Sequence, residues 1–271
     1  MAAQTTHHSI YPQFAIAHNK TPNRFYAVPI LGFVVKIIML IPVFIESLFL
    51  YIAFFVLWII NSFVILFTGN YWDTAYDFFL GLMRFTSKIS AFIYGLSDTY
   101  PGFTLSENGM FTLTIDKPKH PNRLFAIPLI GLLIRTILLI PYYLFIRVME
   151  NGSWIAMIIS WAPVLFSGKF PQSTYEFEQD TIRVGLSSAC YITGLSDKYP
   201  SFSISMNHQT IKILLLIAGT LLLVWSIFLR SSLYYQQWAV WSMTHHGYHY
   251  NHQRYQHLRN IRNTFPARPN Y

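Results

Sequence analysis

The sequence predicts an all-α integral membrane protein. The predicted architecture is two tandem helical-hairpin repeats, each followed by an interfacial amphipathic helix, plus one C-terminal transmembrane helix. Three observations support this fold class. Hydrophobic residues make up 53% of the chain and charged residues only 11%, against about 25% charged in ordinary globular domains. Long apolar stretches occupy residues 28–67, 127–166 and 213–229, and the first two belong to an internal repeat.

Composition also excludes several classes of protein. A chain this apolar is not disordered, and its single cysteine, Cys190, excludes an intramolecular disulfide or a zinc site built on several cysteines. The net charge of +8 is explained by basic residues that flank apolar segments, as membrane topology requires. No basic patch forms a nucleic-acid recognition module, so no nucleic acid is expected as a partner. The expected partners are membrane lipids, with protein partners or a homo-oligomer as further possibilities.

The internal repeat is the strongest signal in the sequence. Residues 22–103 align with residues 121–202 at a constant offset of 99 without a gap, and 26 of the 82 aligned positions are identical. The matching motifs are Pro-Asn-Arg at 22–24 and 121–123, Ile-Pro at 41–42 and 140–141, and Asp-x-Tyr-Pro-x-Phe at 98–103 and 197–202. The chain therefore contains a tandem duplication of one structural unit.

This repeat divides the chain into six segments. They are a polar N-terminal segment (1–21), membrane repeat 1 (22–103), a linker (104–120), membrane repeat 2 (121–202), a C-terminal transmembrane helix (203–230) and a basic tail rich in His and Tyr (231–271).

Each repeat opens with about 40 apolar residues, or roughly 60 Å of helix, which is twice the hydrocarbon thickness of about 30 Å. We therefore predict that this stretch folds back as a hairpin, turning at Pro42 and Pro141 or, in the second repeat, at residues 150–153. An even number of crossings would place Tyr100 and Tyr199 on the same membrane face. Inverted repeats, as found in transporters, are the alternative.

An amphipathic helix follows the first apolar stretch, over residues 73–94. Phe78, Leu82 and Phe85 recur at helical spacing, and Asp77 and Arg84 occupy the opposite side. An aromatic face beside a mixed-charge face suits the membrane interface. The second repeat has a similar polar face with a less regular apolar stripe.

The repeat motifs resemble a bacterial family of membrane proteins catalogued only as a domain of unknown function. The family pattern combines a mid-segment Ile-Pro, a Phe-x-Gly-x-Tyr-Pro break, an amphipathic helix with Arg and a closing Asp-x-Tyr-Pro-x-Phe. The resemblance covers residues 22–202, and the chain departs from the pattern at Trp72, where the family has proline. It implies a protein of the bacterial inner membrane and carries no known activity.

Charges inside the apolar stretches are candidates for an intramembrane polar site. Lys36 and Arg135 occupy equivalent positions, and such charges often mark a pathway. Because each is about nine residues from the start of its stretch, the sequence favours side chains that extend to the lipid headgroups. Glu46 is the best candidate for a buried titratable group, although it has no acidic equivalent in the second repeat.

Further candidates lie on the amphipathic helices and in the closing turns. Asp77 with Arg84, and Glu176 with Arg183, are candidate lipid-headgroup contacts, although a solvated helix face is the favoured reading. The carboxylate that precedes each Tyr-Pro motif is expected to accept hydrogen bonds from nearby backbone amides.

The tail contains three histidines that would share one face of a helix, His245, His249 and His252. They are weak candidates for zinc or copper ligands. Gly247 and the lack of acidic partners favour a flexible tail instead.

No catalytic constellation and no cofactor site are visible in the sequence. The leading expectation is a non-enzymatic scaffold, accessory subunit or membrane-shaping element. The alternative is a small transporter or channel that uses Lys36, Arg135 and Glu46. Charges that face one another inside a bundle would favour the transporter, whereas charges at headgroup depth would favour the scaffold.

Overall fold

The structure, a computed structural model, describes residues 12–19, 21–107 and 111–264. Within these residues the chain is mostly helical. The helices are α1 (Leu31–Thr68), α2 (Asp73–Tyr94), α3 (Ile130–Leu138), α4 (Ile140–Ser167), α5 (Gln172–Thr193) and α6 (Gln209–Thr264), and the strands are β1 (Gln13–Ile16) and β2 (Phe111–Thr114). A short 3₁₀ turn precedes each apolar helix, at Arg24–Ala27 and at Arg123–Ala126.

The first apolar stretch is one continuous helix, so the predicted hairpin within it is wrong. Pro42 lies inside α1 without ending it. The hairpin forms instead between α1 and α2, which are joined by a four-residue turn that begins at Gly69 in the left-handed conformation. Leu40 and Val43 pack with Phe85 and the end of α2, so the two helices run antiparallel. The helices α4 and α5 form the equivalent pair in the second repeat.

The second apolar stretch is bent rather than folded back. The axes of α3 and α4 differ by 58°, and the bend lies at Leu139, immediately before the Ile140-Pro141 step. The predicted break at residues 150–153 does not exist, because these residues lie inside α4. Gly152 serves close packing there, since a Cβ on it would lie 3.0 Å from the carbonyl oxygen of Leu215 in α6.

A two-stranded antiparallel ribbon departs from the all-α prediction. The strands β1 and β2 pair with Phe14 opposite Leu113, so segments assigned to a polar terminus and a linker are structured together. In β2 the side chains of Phe111 and Leu113 are buried while the threonines between and after them are exposed. This alternation with a period of two is the strand signal, and it is readable in the sequence.

The apolar face of α2 packs against protein, which corrects the prediction that this face lies in the membrane interface. Phe79, Phe85 and Phe92 are at most 1% exposed. Lys88, expected on the polar face, is also buried, and its ammonium group donates to the carbonyl oxygens of Ser106 (2.6 Å) and Thr104 (3.1 Å). The antiparallel partner α1 and the neighbouring α5 cover a face that looks lipid-facing when α2 is considered alone.

The last helix extends well beyond the predicted span. The helix α6 continues to Thr264, so the predicted flexible tail is helical up to that residue. No proline occurs between the predicted span and Pro266, so none interrupts this part of the helix. The chain divides into two compact units, Met1–Thr220 and Leu221–Tyr271. The site described below belongs entirely to the first unit.

Two helices are long and apolar enough to cross a membrane. They are Leu31–Thr68 and the part of α6 from Gln209 to Gln237, with the bent pair α3 and α4 as a third possible span.

The two repeats in the first unit are related by an approximate twofold axis. Tyr175 donates to the carbonyl oxygen of Ile16 (3.0 Å), and its equivalent Tyr76 donates to that of Ile115. The two bonds are equivalent, because Tyr76 corresponds to Tyr175 and Ile16 to Ile115 at the repeat offset of 99 residues. The same exchange holds for the ribbon, where Phe14 pairs with its own counterpart Leu113. The two repeats therefore pack against each other as the two subunits of a symmetric dimer would.

Candidate functional site

The basic entry of each repeat packs against the far end of the apolar helix in the other repeat. A Cβ on Gly168 would lie 3.0 Å from Nη2 of Arg24, and a Cβ on Gly69 would lie 2.6 Å from Nη2 of Arg123. Both glycines end an apolar helix with a positive φ. The Pro-Asn-Arg and Phe-x-Gly motifs are therefore two sides of one contact, made twice with the repeats exchanged.

The closing aspartate of each repeat fixes the same entry. The carboxylate of Asp98 accepts a hydrogen bond from the backbone N–H of Asn23 (2.7 Å), and that of Asp197 accepts one from the backbone N–H of Asn122 (2.9 Å). Each asparagine side chain in turn caps the following 3₁₀ turn. Each carboxylate thus bonds a backbone amide, as expected, but the amide lies 75 residues away in the sequence in both repeats and not in the closing turn, where the sequence placed it.

Arg135 lies where the entry and the closing turn of the second repeat meet, beside the contact of Arg123 with Gly69 of the first repeat. We name this place the Arg135 junction, and we call such contacts between the repeats crossed contacts. Its guanidinium forms an ion pair with Asp197 and donates to the carbonyl oxygens of Tyr191 and Ser196, the latter at 3.3 Å. It also lies over the rings of Tyr191 (4.9 Å) and Phe125 (4.7 Å). The residue is 4% exposed. This cation is therefore neutralised and hydrogen-bonded inside the protein.

Lys36 occupies the equivalent position at the other crossed contact, the Lys36 junction. Its ammonium group lies 5.4 Å from the ring centre of Tyr26 and 5.3 Å from that of Phe92. Among the described residues it has no ion-pair partner within 4 Å, although Asp98 and Glu178 act on it electrostatically. The residue is 4% exposed. The prediction that Lys36 and Arg135 reach lipid headgroups is wrong, because the entry of each repeat folds over them.

A small cavity adjoins each cation. The cavity at Lys36 has a volume of about 30 Å³ and the one at Arg135 about 20 Å³. All twelve residues that line the Arg135 cavity have their counterparts, 99 positions away, in the lining of the Lys36 cavity. The shorter lysine leaves room there for about two water molecules, at roughly 10–15 Å³ each.

A second group of polar side chains lies between α4 and α5, and we name it the polar column. Its members are Ser153 and Ser160 on α4 and Thr174, Glu178 and Thr181 on α5, all at most 5% exposed. The hydroxyl groups of Ser153 and Thr181 lie 2.7 Å apart, as do those of Ser160 and Thr174. Glu178 lies between the two pairs on the same face of α5, since positions 174, 178 and 181 follow helical spacing.

Glu178 is the most isolated polar group of the column. The residue is fully buried, and both carboxylate oxygens lack a hydrogen-bond partner among the described residues. Burial raises the pKa of this carboxyl well above its usual range, and the positive charge of Lys36 offsets only part of that shift. Burial without a hydrogen-bond partner disfavours the charged form of a carboxyl.

A larger cavity of about 160 Å³ adjoins the column at Thr181. Tyr94 lines both this cavity and the one at Lys36. The remaining polar lining of the larger cavity is supplied by Thr86, Ser87, Ser90 and Glu150. A polar cavity of this volume accommodates several water molecules.

The headgroup candidates on α2 and α5 are mostly bound to protein. Arg84 pairs with Glu107 (2.6 Å), and Arg183 pairs with Asp180 (2.8 Å). Glu176 accepts a hydrogen bond from the backbone N–H of Asn207 (3.0 Å). Asp77 alone is simply exposed. These charges hold the connecting segments against the helices, a role that sequence reasoning did not assign to them.

The other sequence candidates are not part of these sites. Glu46 is half-buried on α1, ten residues from Lys36 on a continuous helix, which corresponds to about 15 Å. The side chains of His245, His249 and His252 lie outside the described residues. Within the described part of the chain, no group of three or more His, Cys, Asp or Glu side chains is arranged to hold a metal ion.

Sequence reasoning missed Glu178, although a signal was present. The equivalent residue in the first repeat is Phe79. Once the two copies are aligned, the sequence shows a carboxylate at a position where the other copy has phenylalanine.

No curated protein and no solved structure shows detectable similarity to the chain. One family profile does match, twice, over residues 31–104 and 130–203. These two ranges begin with the apolar helices and end with the Asp-x-Tyr-Pro-x-Phe turns, and they are offset by the same 99 residues as the crossed junctions. On this match, which covers more than half of its length, the chain belongs to the family described as Domain of unknown function (DUF4389).

Proposed function

We propose that the protein is a non-enzymatic membrane protein that acts as a scaffold, accessory subunit or membrane-shaping element, with α1 and α4 lying along one leaflet. The observation that carries this proposal is the opposite character of the two sides of the first unit. One side is a continuous apolar surface along α1 and is interrupted on α4 by the exposed ion pair of Arg147 with Glu150, whereas the other exposes strands and charges. The bacterial inner membrane suggested by the sequence motifs is part of this proposal.

The apolar side is formed along the whole length of α1. Every exposed position of this helix except Pro42 and Thr68 carries a large apolar side chain. Its buried residues fall at helical spacing over 32–47 and again over 58–65, with partly buried residues between them, so one stripe contacts protein and the rest faces outward. Exposed apolar surface of this extent marks a binding face, and its uniform character suits lipid acyl chains.

The opposite side is unsuited to hydrocarbon. The segment after α2 runs back along that helix, held by Lys88 on Ser106 and by the ion pair of Lys117 with Asp73. It continues into the ribbon, which within the described residues has two strands and therefore two edges that no further strand covers. Open strand edges are not tolerated against lipid, and each charge at the bilayer centre costs about 2.5–3.5 kcal/mol on insertion scales.

These two observations argue against a simple crossing by α1 and support an orientation along the membrane surface. Because α2 and the returning segment follow α1 along its length, a crossing α1 would draw them through the bilayer. The helix is also about 57 Å long, and fitting it into a core of about 30 Å needs a tilt beyond the ~40° upper range of membrane helices. An orientation along the membrane surface meets both constraints, and α6 supplies a separate candidate span from Gln209 to Gln237.

Such a body would act mechanically. Apolar helices inserted into one leaflet expand it relative to the other, and the crossed junctions keep the two repeats in fixed geometry while they do so. The polar side remains available to protein partners or to another copy of the chain.

Spin-label depth along α1 tests this orientation. Single cysteines would replace Ile38, Phe49 and Ile60, three exposed positions spread over about 33 Å, in a Cys190→Ser background. All three labels should report similar, shallow depths. Depth at Phe49 near the bilayer centre, with the other two near opposite faces, would show that α1 crosses. Labels at the exposed positions Leu214, Leu221 and Phe228 of α6 provide a control that should change steadily in depth.

A small transporter or channel is the second candidate, favoured by the burial of Lys36 and Glu178 inside the first unit. Of the residues first considered for this role, Arg135 is neutralised by Asp197, and Glu46 lies away from the polar column. Replacing Glu46 by Gln separates the two functions. A scaffold should insert and assemble normally with this change, whereas loss of a proton-dependent flux in vesicles would favour the transporter.

A further inference from the structure

The polar column is not required by the fold. In the first repeat the positions equivalent to Ser153, Thr174, Glu178 and Thr181 are Phe54, Ala75, Phe79 and Leu82. There the rings of Phe54 and Phe79 pack with their centres 5.0 Å apart. Four of the five column positions are thus apolar in the first repeat, and Ser160 alone has a polar counterpart there, the buried Asn61. Buried polar groups destabilise a core unless they are fully hydrogen-bonded, so their presence in one copy alone points to a role beyond packing.

The column places Glu178 between two cavities. On one side, Thr174 contacts Ser160, which lines the cavity at Lys36. On the other side, Thr181 lines the larger cavity together with Glu150. One turn of α5 separates Glu178 from each threonine. Hydroxyl groups both donate and accept hydrogen bonds, so they suit a chain along which protons move.

The charged and titratable groups around Glu178 come from several elements. Lys36 on α1 acts on it directly, and Tyr94 on α2 is influenced by both Glu178 and Glu150. From the segment after β1, the His18 ring packs against Tyr175, with ring centres 4.3 Å apart. Glu150 is paired with Arg147 at 2.9 Å, and its side chain is 37% exposed, so the larger cavity communicates with solvent at that residue.

We propose that Glu178 is a buried proton-binding site, which exchanges its proton with water through Thr181 and the cavity lined by Glu150. The site holds one proton on the carboxyl oxygen at neutral pH and releases it towards that cavity. This assignment goes beyond the scaffold function and does not depend on the orientation of α1.

Infrared spectroscopy of the full chain in vesicles tests the site directly. A protonated carboxyl has a C=O stretching band distinct from that of a carboxylate, and the band shifts when the proton is replaced by deuterium. We expect such a band at neutral pH in the wild-type protein and its loss in Glu178→Gln, which keeps the size of the side chain. Glu107→Gln removes an exposed carboxylate and serves as the matched control, so the band should persist.

The rate at which the Glu178 proton is replaced by deuterium tests the route through Thr181. Thr181→Val keeps the shape of the side chain and removes its hydroxyl, so the deuterium shift of the Glu178 band should slow. The absence of a protonated band at neutral pH, or its persistence in Glu178→Gln, would overturn the site. Unchanged exchange in Thr181→Val would overturn the route. Since the band is measured in the wild-type chain, the proposal remains testable even if a variant fails to fold.

Discussion

The side chain of Asp197 holds the backbone N–H of Asn122 at 2.9 Å, and so closes the second repeat on the residue that opens it. The same carboxylate neutralises Arg135, which the entry covers. One side chain thus fixes both the end of the unit and its buried cation. The first repeat separates these tasks, because Asp98 makes the corresponding bond to Asn23 while Lys36 lies apart from it.

This difference predicts unequal effects of one substitution at equivalent positions. Asp197→Asn leaves the buried guanidinium of Arg135 without its counter-charge, and we expect a loss of about 3 kcal/mol in the free energy of unfolding. Asp98→Asn removes hydrogen bonds but breaks no close ion pair among the residues that the structure describes, so its loss should be smaller, about 1–2 kcal/mol. Denaturant unfolding in detergent micelles measures both. Equal losses would show that the ion pair contributes no extra stability.

A pH-dependent stability is expected from Glu178. Because burial raises the pKa of its carboxyl in the folded state, the folded protein binds this proton more tightly than the unfolded chain. The contribution of this proton to the free energy of unfolding is fully present below the carboxyl pKa of the unfolded chain, about 4.3. It is lost as the pH rises through the higher pKa of the same carboxyl in the folded protein.

Glu178→Gln should remove this part of the pH dependence and stabilise the protein above the folded pKa of the carboxyl. Unfolding titrations at several pH values compare the two proteins. Glu107→Gln is again the control. A similar change in how its free energy of unfolding depends on pH would show that the effect comes from the net charge of the protein and not from Glu178.

Glycines at the start of the apolar helices should not tolerate a methyl group. A Cβ on Gly32 would lie 2.4 Å from the carbonyl oxygen of Tyr26, and one on Gly131 would lie 2.1 Å from that of Phe125. Alanine at either position should destabilise the protein by about 1–3 kcal/mol, because backbone must move.

Gly185 on α5 provides the matched comparison for these variants. Nothing lies within 4 Å of a Cβ built there, so Gly185→Ala should stabilise the helix by about 0.5–1 kcal/mol. Thermal unfolding distinguishes the two directions, and destabilisation by Gly185→Ala would contradict the space seen at that residue.

Surface orientation of α1 and α4 also predicts the sidedness of the closing turns. With both helices along one leaflet, the twofold axis of the first unit stands perpendicular to the membrane, and both turns lie on the same face. Cysteines in place of the exposed residues Phe103 and Phe202 should then react with an impermeant reagent from the same side of sealed vesicles. A crossing α1 has the two turns at its opposite ends, so reaction from opposite sides would contradict the surface orientation.

The sequence predicts the local elements better than their partners. Hydrophobic content and helical spacing identify α1, α2 and the duplication, because these signals lie within short stretches of chain. The hairpin within residues 28–67 fails as a prediction because periodicity does not show that α2 covers one stripe of α1. The ribbon is readable in the alternation of Phe111 and Leu113 but was obscured by the polar residues around it.

In the candidate site, too, individual residues can be identified from the sequence but their contacts cannot. Lys36 and Arg135 are identifiable from their positions, but their burial depends on the entry and the end of the second helix of the same repeat, which fold over them and which no local pattern reveals. Glu178 required a comparison of the two copies, where a carboxylate replaces Phe79.

The crossed contacts of Arg24 with Gly168 and of Arg123 with Gly69 also bear on the ancestry of the chain. Neither copy supplies both sides of its own contact, so a single copy expressed alone would present a basic entry and a glycine-ended helix without partners. Two such molecules would satisfy each other as an isologous pair. A half-length polypeptide with a single repeat would thus satisfy these contacts only by pairing with a second copy, whereas in the fused chain the two halves can differ, as Glu178 and Phe79 do.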